Sequence, residues 1–456
     1  MAADGTVVWQ ITLGGDQRDQ ARDIVQTSDG GFLVVGLSNS GISGNKTTAT
    51  NGLYDVWLVK LNATGQIVWQ KNYGGTNNDA GQRIIELNNG NYLIAGNSDS
   101  DVSGNKTVPS NGSTDFWTLT IDDLGNVVNQ NAYGGSGKDN CYDIQKLGAS
   151  ELVLIGYSDS DISGDKLQNS YGGRDIWVVS TDYNGVISHS STEGGTGTDR
   201  GMALGIHNNK MVLFGSSDSD ISGSKSQPSF GIDDLWAVNL NSNHTRNWEA
   251  VFGGDQSEAI SFDAGGTYCN ALNQYIIAGS SLSDISGNKT LPAFDIGFGD
   301  LWIAGMDTNG VKQFDFVTGG DRAERYKSIL ESNNGTILVA GTSLSGVSGN
   351  KTDETNGLSD IWIVELDFNL SVQKVTAANN LEVYPNPSTT MLNFSIPMAV
   401  NQSSIALTDL SGKVVYQESI GMTQNHQIDV THLAKGMYIL SVKADTFYYT
   451  HQVVIE

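Results

Sequence analysis

The stretch from Gly74 to Tyr133 reads GGTNNDAGQRIIELNNGNYLIAGNSDSDVSGNKTVPSNGSTDFWTLTIDDLGNVVNQNAY, and its pattern recurs along most of the chain. Three markers keep a common spacing: a Gly-Gly pair, a Ser-Gly-x-Lys loop and an Asp-x-Trp triplet. Successive Gly-Gly pairs lie 60, 60, 60, 59 and 66 residues apart. Such a period indicates one supersecondary unit per repeat, with neighbouring units burying each other's apolar faces. The pairs begin at Gly14, Gly74, Gly134, Gly194, Gly253 and Gly319.

Each repeat contains four short apolar or alternating runs, and none has the length or the 3.6-residue period of a helix. In the second repeat these runs are Arg83–Leu87, Tyr92–Gly96, Asp115–Ile121 and Asn126–Tyr133. Compact turn sequences join the first run to the second and the third to the fourth. Four antiparallel strands per unit are typical of a propeller blade, so the chain is predicted to be all-β, with a six-bladed β-propeller over residues 1–370.

The two ends of the repeat region suggest how the propeller closes. The segment Thr6–Leu13 resembles the fourth strands of later repeats, whereas no fourth strand is obvious after Asp360–Leu366. We therefore predict that the N-terminal strand completes the sixth blade and leaves no long exposed edge. A linear solenoid is the alternative architecture.

Composition excludes several classes of partner. The 456 residues include 50 acidic and 25 basic side chains, for a formal charge of −25, which disfavours nucleic acid and anionic membranes. No apolar run reaches the roughly 18 residues of a transmembrane helix. Two cysteines cannot build a disulfide framework. The first residues lack a charged segment followed by an apolar run, so we expect a secretory signal peptide to be absent or removed before this numbering.

The loops between second and third strands are long, and in a meander they share one face with the connections between blades. We take this long-loop face as the candidate ligand-binding surface. Two sets of charges are predicted to decorate it. The lysines would contact an anionic glycan or pair with nearby aspartates, and the acids would cap turns or form a cation-attracting funnel. These candidates are Lys46, Lys106, Lys166, Lys225, Lys289, Lys351, Asp79, Asp139, Asp199 and Glu258.

Three of these loops carry the sequence Asp-Ser-Asp-x-Ser-Gly. Oxygens at alternate positions before a glycine can wrap a hard cation, so Ca²⁺ is one interpretation. A loop closed by Asp–Lys pairing and aspartate-capped turns is the other. No glutamate stands at the closing position, which is Ser170 in the third repeat. The candidate metal ligands are Asp99, Asp101, Asp159, Asp161, Asp218 and Asp220.

No repeated nucleophile, base or metal cluster is evident, so we predict that the protein is not an enzyme. The rival interpretation is a polysaccharide-acting hydrolase or lyase that uses carboxylates of the long-loop face. The fifth repeat breaks the pattern with Asp263 and the inserted region Ala264–Leu272. Glu258 and Asp263 are therefore the carboxylates on which the rival interpretation depends.

After the repeats, residues 371–380 form a polar linker, and residues 381–456 are predicted to fold separately. Seven short runs indicate a small Ig-like β-sandwich. They are Leu381–Tyr384, Met391–Ile396, Ile405–Leu410, Lys413–Glu418, Gln427–Val430, Met437–Lys443 and Tyr448–Ile455.

The tail also carries three spaced motifs: Val383-Tyr-Pro-Asn-Pro-Ser388, Asp409-Leu-Ser-Gly-Lys-Val414 and Leu433-Ala-Lys-Gly-Met-Tyr-Ile-Leu440. With them the tail resembles the type A C-terminal sorting domain of type IX secretion substrates. The resemblance implies export to the cell surface or the medium, cleavage in the linker, and recognition by the secretion translocon and its sorting protease. The residues that it assigns to recognition are Tyr384, Pro385, Asn386, Pro387, Gly412, Lys413, Gly436 and Tyr438.

These features together predict a secreted or cell-surface protein whose propeller is a binding or adhesion module. An extracellular glycan or a surface protein is the expected partner of the propeller, and no cofactor other than Ca²⁺ is expected.

Overall fold

The computed structural model describes residues 7–260, 263–368, 382–395, 403–409, 413–420, 425–444 and 447–456. The chain divides into two compact units, Met1–Asn369 and Leu370–Glu456. The described residues of both units form β-strands, turns and loops without an α-helix. This all-β architecture confirms the predicted fold class.

Six antiparallel sheets make up the first unit, and each is a meander of consecutive strands. We number them as blades 1 to 6. Blades 1 to 3 contain β1 (Asp19–Gln26), β2 (Phe32–Ser38), β3 (Asp55–Leu61), β4 (Ile67–Tyr73); β5 (Asp79–Glu86), β6 (Tyr92–Ser98), β7 (Asp115–Ile121), β8 (Val127–Tyr133); β9 (Asp139–Leu147), β10 (Glu151–Ser158), β11 (Asp175–Asp182), β12 (Ile187–Glu193). Blades 4 to 6 contain β13 (Asp199–His207), β14 (Lys210–Ser217), β15 (Asp234–Leu240), β16 (Arg246–Phe252); β17 (Ala264–Cys269), β18 (Gln274–Ser281), β19 (Asp300–Met306), β20 (Lys312–Thr318); β21 (Glu324–Glu331), β22 (Ile337–Ser343), β23 (Asp360–Leu366).

The first strand of every blade faces a common axis. Residues of β1, β5, β9, β13, β17 and β21 line the same central cavities, which requires a circular arrangement of the six sheets. A solenoid would keep its first and last units apart. The first unit is therefore a six-bladed β-propeller, as the repeat predicts.

The Asp-x-Trp strands pack neighbouring blades together. The tryptophans of the first five repeats, Trp57 to Trp302, are at most 6% exposed. Trp302 and Ala304 of β19 share one core with Leu235 of β15, so each third strand contacts the blade before it. The repeated tryptophan therefore packs neighbouring blades against each other.

The N-terminal segment differs from the prediction. The described part of the predicted strand, Val7–Leu13, forms no strand, and within the described residues blade 6 has three strands rather than four. Trp9 instead packs edge-on against Phe32, 5.6 Å between ring centroids, and its indole N–H donates to Ala63 O at 3.1 Å. Trp69 of β4 makes the equivalent bond to Asp123 O in the next blade. The segment thus makes the side-chain contacts of a fourth strand to blade 1 without its backbone ladder.

Blade 6 keeps an apolar surface where that ladder was expected. Ile361 and Ile363 of β23 are 81% and 56% exposed, whereas the matching Leu301 and Ile303 of β19 are buried. The predicted closure therefore explains the sequence pattern. Within the described residues, the N-terminal segment makes its contacts with blade 1 but forms no backbone ladder with β23.

The second unit contains two sheets that share one apolar core. The sheets have the orders β24-β25-β28 and β27-β26-β29-β30. Leu392 and Ile428 of one sheet pack with Leu407, Leu440 and Val453 of the other. The seven predicted strands are all present as β24 (Glu382–Tyr384), β25 (Met391–Ser395), β26 (Ser403–Asp409), β27 (Val414–Ile420), β28 (Asn425–Asp429), β29 (Gly436–Ala444) and β30 (Phe447–Ile455). The predicted linker, residues 371–380, lies outside the described residues.

We expect Trp9→Ala to lower the free energy of unfolding of the propeller by about 1.5–3 kcal/mol, because the indole covers the apolar face of blade 1. Urea denaturation followed by fluorescence measures the change. Val8→Ala is the matched control, since Val8 is 67% exposed. Equal stability of both variants would show that the segment contributes nothing to the packing of blade 1.

Candidate functional site

A β-bulge interrupts the inner strand of five blades and directs one extra residue toward the axis. The register shifts lie between Ala21 and Asp23, Gly81 and Arg83, Cys141 and Asp143, Gly201 and Ala203, and Tyr326 and Ser328. A bulge re-aims a side chain without breaking the sheet, and bulges are frequent beside binding sites. The extra residues are Arg22, Gln82, Tyr142, Met202 and Lys327.

All five bulge residues line one cavity of about 380 Å³, which we call the central cavity. Blade 5 has no bulge in its described inner strand, and Asp263, directly before β17, reaches the same space. The wall also includes Arg83, Asn97, Asn140, Gly265 and Tyr326. Because these residues stand near the starts of the inner strands, the cavity opens toward the long-loop face.

Arg83 and Tyr326 separate the central cavity from a second cavity of about 320 Å³ nearer the opposite face, since both residues line both spaces. The guanidinium of Arg83 lies 3.7 Å from Asp23 Oδ1 and 3.2 Å from Asp143 Oδ1. Burial raises the pKa of both aspartates, while Arg83 and backbone N–H groups oppose that rise. At Gly265 a Cβ atom would lie 2.6 Å from Tyr326 Oη, so the tyrosine occupies space that a side chain would need.

On the wall of the central cavity, some charged side chains have an oppositely charged partner and others do not. Lys327 Nζ lies 2.5 Å from Asp263 Oδ1, and the lysine side chain is 58% exposed. Arg22 is exposed, and within the described residues it has no hydrogen bond or ion pair. Tyr142 contacts Tyr157 at 5.9 Å between ring centroids, and the Arg174 guanidinium lies 4.8 Å from the Tyr157 ring centroid. The cavity wall thus carries one unpaired guanidinium, that of Arg22, and one tyrosine ring, that of Tyr142, which its contact with Tyr157 fixes.

The sequence did not single out these residues, although it contained a signal for them. Framework residues repeat from blade to blade, whereas the bulge position changes its chemistry every time. The arginines are also concentrated: six of the eight lie in or just before inner strands, and a seventh, Arg174, pairs through its backbone with Thr198, directly before the inner strand β13. These seven are Arg18, Arg22, Arg83, Arg174, Arg200, Arg322 and Arg325.

The structure contradicts the proposed role of the repeated lysines as a binding surface. All six are at most 5% exposed. Lys225 Nζ donates to the carbonyl oxygens of Ser219 and Gln227, each at 2.8 Å, and Lys46 Nζ donates to Ser40 O at 2.9 Å. These buried ammonium groups do not form a glycan-binding surface, and among the described residues none is paired directly with an aspartate. Five of them donate to carbonyl oxygens of their own loops, and Lys166 donates to Thr192 Oγ1 at 2.9 Å. The corrected residues are Lys46, Lys106, Lys166, Lys225, Lys289 and Lys351.

The repeated acids are also structural rather than surface groups. Asp79, Asp139, Asp199 and Glu258 are 0% exposed, which excludes them from a ligand-binding face. In each case the carboxylate accepts the N–H of the second glycine of the Gly-Gly pair, as from Gly75 to Asp79 at 2.7 Å. In blades 1 to 5 a loop serine donates to the same carboxylate, as Ser100 does to Asp79 at 2.8 Å. This arrangement confirms the turn-capping interpretation and removes Glu258 as a candidate catalytic group.

Each of these acids lies close to the Asp-x-Trp carboxylate of the preceding blade. A Cβ atom on Gly74 would lie 2.7 Å from both Asp55 Oδ1 and Asp79 Oδ2, so only glycine fits between the two carboxylates. Burial raises the pKa of Asp175 to about 6, of Asp300 to about 7 and of Glu258 to about 8, and the neighbouring carboxylate adds to each rise. These carboxyl groups therefore keep their protons to higher pH than free carboxylates do.

The loops proposed for calcium are held by protein donors. Asp99 Oδ1 accepts a hydrogen bond from Thr114 Oγ1 at 2.7 Å, and Asp159 and Asp218 accept backbone N–H groups. Asp101 and Asp220 accept the N–H of the residue that follows each of them. Among the described residues, no three His, Cys, Asp or Glu side chains converge as metal ligands. Ca²⁺ also accepts backbone carbonyl and water oxygens as ligands, so calcium binding by these loops, with Asp161 among the candidate ligands, stays a prediction.

Each of these loops instead displays an aliphatic side chain at its tip. The six tip residues are between 56% and 70% exposed, although the lysine, serine and acid beneath them are buried. They are Ile42, Val102, Ile162, Ile221, Ile285 and Val347.

The predicted recognition residues of the tail occupy different environments. The side chain of Tyr384 is 54% exposed, whereas Tyr438 is 6% exposed and donates its hydroxyl to Ala434 O at 2.7 Å. Asn386 joins the first motif to the last strand, since its side chain bonds Gln452 O and Val454 N at 2.8 and 2.9 Å. Pro385 and Pro387 flank it, Lys413 N donates to Asp409 Oδ1, and Gly436 opens β29. Gly412 lies outside the described residues.

A scan against family models matches residues 382–456 to the secretion system C-terminal sorting domain. The tail is a sorting domain. It marks the chain as a substrate of the type IX secretion system and directs it to the cell surface or the extracellular space, as the motifs imply. No curated protein sequence is detectably similar to the chain. Within the described residues, no helix has the length and hydropathy needed to cross a bilayer.

Solved structures that align with the chain include a WD40 domain and a glycoside hydrolase. The WD40 domain of Neurospora crassa Pan2 aligns at 10% identity over 74% of this chain and 91% of that chain, with a TM-score of 0.37. A glycoside hydrolase family 43 arabinoxylan arabinofuranohydrolase from Bacillus subtilis aligns at 10% identity over 94% and 93%, with a TM-score of 0.29.

We expect the thermal stability of the protein to fall as the pH rises from about 5 to about 8. The raised pKa values of Asp175, Asp300 and Glu258 mean that the folded state holds protons which the unfolded chain has lost above about pH 4. Their contribution is complete below the unfolded pKa and disappears as the pH passes the folded pKa. Melting temperature measured by calorimetry across this range tests the expectation.

Asp300→Asn is the matched variant, because an amide keeps an acceptor for the N–H of Phe294, which lies 2.6 Å from Asp300 Oδ2. Its melting temperature should depend less on pH than that of the unmodified chain. A melting temperature that stays constant or rises between pH 5 and 8 in the unmodified chain would contradict the shared-proton pairs.

Proposed function

We propose that the protein is an exported binding module whose propeller takes an extracellular glycan in the central cavity. The observation that carries this proposal is the set of five bulges. Each places a different side chain in one cavity, although the surrounding framework repeats from blade to blade. The framework of the propeller is repeated, but one position per blade varies, so the wall of the central cavity is asymmetric. An asymmetric wall is what specific binding of an asymmetric ligand requires.

The chemistry of the wall supports a polar ligand. Asn140 Nδ2 is buried with no hydrogen-bond partner, and within the described residues Gln82 makes no side-chain hydrogen bond. Both residues line the cavity, and their amides carry donors and acceptors that suit sugar hydroxyls. A buried amide left unpaired costs about 1–3 kcal/mol, so a hydroxyl-bearing ligand gains from pairing with it.

Binding is favoured over hydrolysis by the state of the carboxylates. Asp23 and Asp143 both pair with Arg83, and Asp263 pairs with Lys327. A glycosidase needs one carboxyl group free to donate a proton and another free to attack or to activate water. Asp263 in the wall of the central cavity, and Asp23 and Asp143 in the wall of the second cavity, are thus each paired with a cation, which suits a site that holds a ligand unchanged.

We expect Gln82→Trp to abolish glycan binding, because the larger ring fills part of a cavity of about 380 Å³. The full chain is applied to a glycan array, and the positive glycans are titrated by calorimetry with wild type and variant. Val128→Trp is the matched control, since Val128 lies in the outer strand β8 and is 57% exposed.

Retained affinity in Gln82→Trp, or equal loss in both variants, would overturn the central cavity as the binding site. The same glycans are incubated with the protein and analysed for shortened products. Turnover that Asp263→Asn abolishes would replace the binding module with the hydrolase.

We propose further that the exposed Tyr384 is read by the translocon and the sorting protease, whereas Tyr438 maintains the fold of the tail. Tyr384→Ala should therefore retain the protein inside the cell envelope without lowering the stability of the tail. Immunoblots of medium, surface and envelope fractions measure export. Val414→Ala is the control, because Val414 is 49% exposed and outside the recognition residues. Normal export of Tyr384→Ala would contradict the role of this tyrosine.

A further inference from the structure

The wall of the central cavity divides into two sectors of different chemistry. Blades 6, 1 and 2 are adjacent around the ring and contribute Lys327, Arg22 and Arg83. Blades 3 and 4 lie across from them and contribute Tyr142 and Met202. A ligand that fills the cavity therefore meets cationic groups on one side and an aromatic and thioether surface on the other.

Arg22 is the cation that is free to bind a ligand. Arg83 is held between Asp23 and Asp143, and Lys327 is held by Asp263. Arg246, away from the cavity, is likewise paired, with Glu193 and Glu249. Arg22 has no such partner among the described residues, in a chain whose formal charge is −25. An unpaired guanidinium beside an open cavity is a ready site for a planar anion, which it can bind with two parallel hydrogen bonds.

The opposite sector suits the face of a sugar ring. Tyr142 is half-buried and fixed by its contact with Tyr157, which the Arg174 guanidinium covers in turn. A fixed aromatic ring offers apolar contact area at little cost in conformational entropy. The C–H face of a pyranose can lie against such a ring while its hydroxyls reach the amides of Gln82 and Asn140.

We propose that the ligand of the central cavity is an acidic saccharide whose carboxylate binds Arg22 and whose ring packs on Tyr142. This proposal rests on the proposed function and names the ligand class of the same site. The cavity volume of about 380 Å³ lies within the roughly 300–1,000 Å³ of small-molecule sites. A hexuronate residue at the end or within a polysaccharide chain has the required combination of one carboxylate, vicinal hydroxyls and an apolar ring face.

Matched sugars test the carboxylate directly. The full chain is titrated by calorimetry with digalacturonate and with the neutral disaccharide of galactose, which differ in the oxidation state of C6. We expect digalacturonate to bind at least 10-fold more tightly, because hydrogen bonds to a charged group contribute about 1.5–3 kcal/mol. Raising the salt concentration should lower the affinity for digalacturonate and leave the affinity for the neutral sugar unchanged.

Arg22→Gln should lower the affinity for digalacturonate about 10-fold or more and leave the affinity for the neutral sugar unchanged. Arg18→Gln is the matched control, because Arg18 lies just before the same strand, is not part of the cavity wall and bonds the side chain of Gln20. The melting temperatures of both variants are compared with wild type, so that a folding defect is recognised.

Equal affinity for the two sugars, or an Arg22→Gln variant that binds digalacturonate as wild type does, would overturn the proposal. Binding of neutral glycans that Gln82→Trp abolishes would then leave the proposed function intact. If galactose 6-sulfate binds more tightly than galacturonate, the anionic group of the ligand is a sulfate ester and the proposed carboxylate is wrong. If an N-acetylated tripeptide with a free carboxylate binds more tightly than the sugars, the proposal that the ligand is a saccharide is wrong.

Discussion

A carboxylate at or before the start of each inner strand, fully buried in blades 2 to 6, holds three parts of the propeller together. It accepts the N–H of the Gly-Gly turn that connects two blades, and in blades 1 to 5 it also accepts the hydroxyl of a serine in the long loop. Its neighbour is the carboxylate of the preceding Asp-x-Trp strand. Taking two acids out of water is costly unless a proton or a hydrogen bond compensates, and here both contribute. The position of each inner strand, and with it the direction of each bulge, depends on this contact.

The propeller could be predicted from the sequence because its period is carried by residues with strict local roles. Gly74 fits only without a side chain, and Trp117 fills the space between two blades. The site could not be predicted in the same way. Lys106 and Asp139 were expected on the surface because they are charged and repeated, yet their repetition reflects the framework and both are buried. Strand alternation cannot locate a bulge, so Arg22 and Tyr142 were not recognised as cavity residues.

The N-terminal segment shows a second limit of pattern reasoning. Its resemblance to a fourth strand is matched by one side-chain contact, because Trp9 bonds blade 1 as Trp69 bonds the next blade. The pattern says which side chains pack, but a ladder also requires the backbone of β23 to be within reach. In the tail, by contrast, the pattern and the structure agree: the motifs, the seven strands and the family match all indicate the same domain.

In the lysine-closed loops, the lysines that stabilise the fold are buried, and different residues, the aliphatic tip residues, are exposed. In the loop of blade 4 the ammonium group of Lys225 binds carbonyl oxygens of its own loop, while the side chain of Ile221 at the tip is 61% exposed. Substitution at such a tip leaves the internal hydrogen bonds in place. The six exposed tip positions can therefore change in sequence at almost no cost in stability. This surface can acquire new contacts during evolution while the propeller beneath it stays the same.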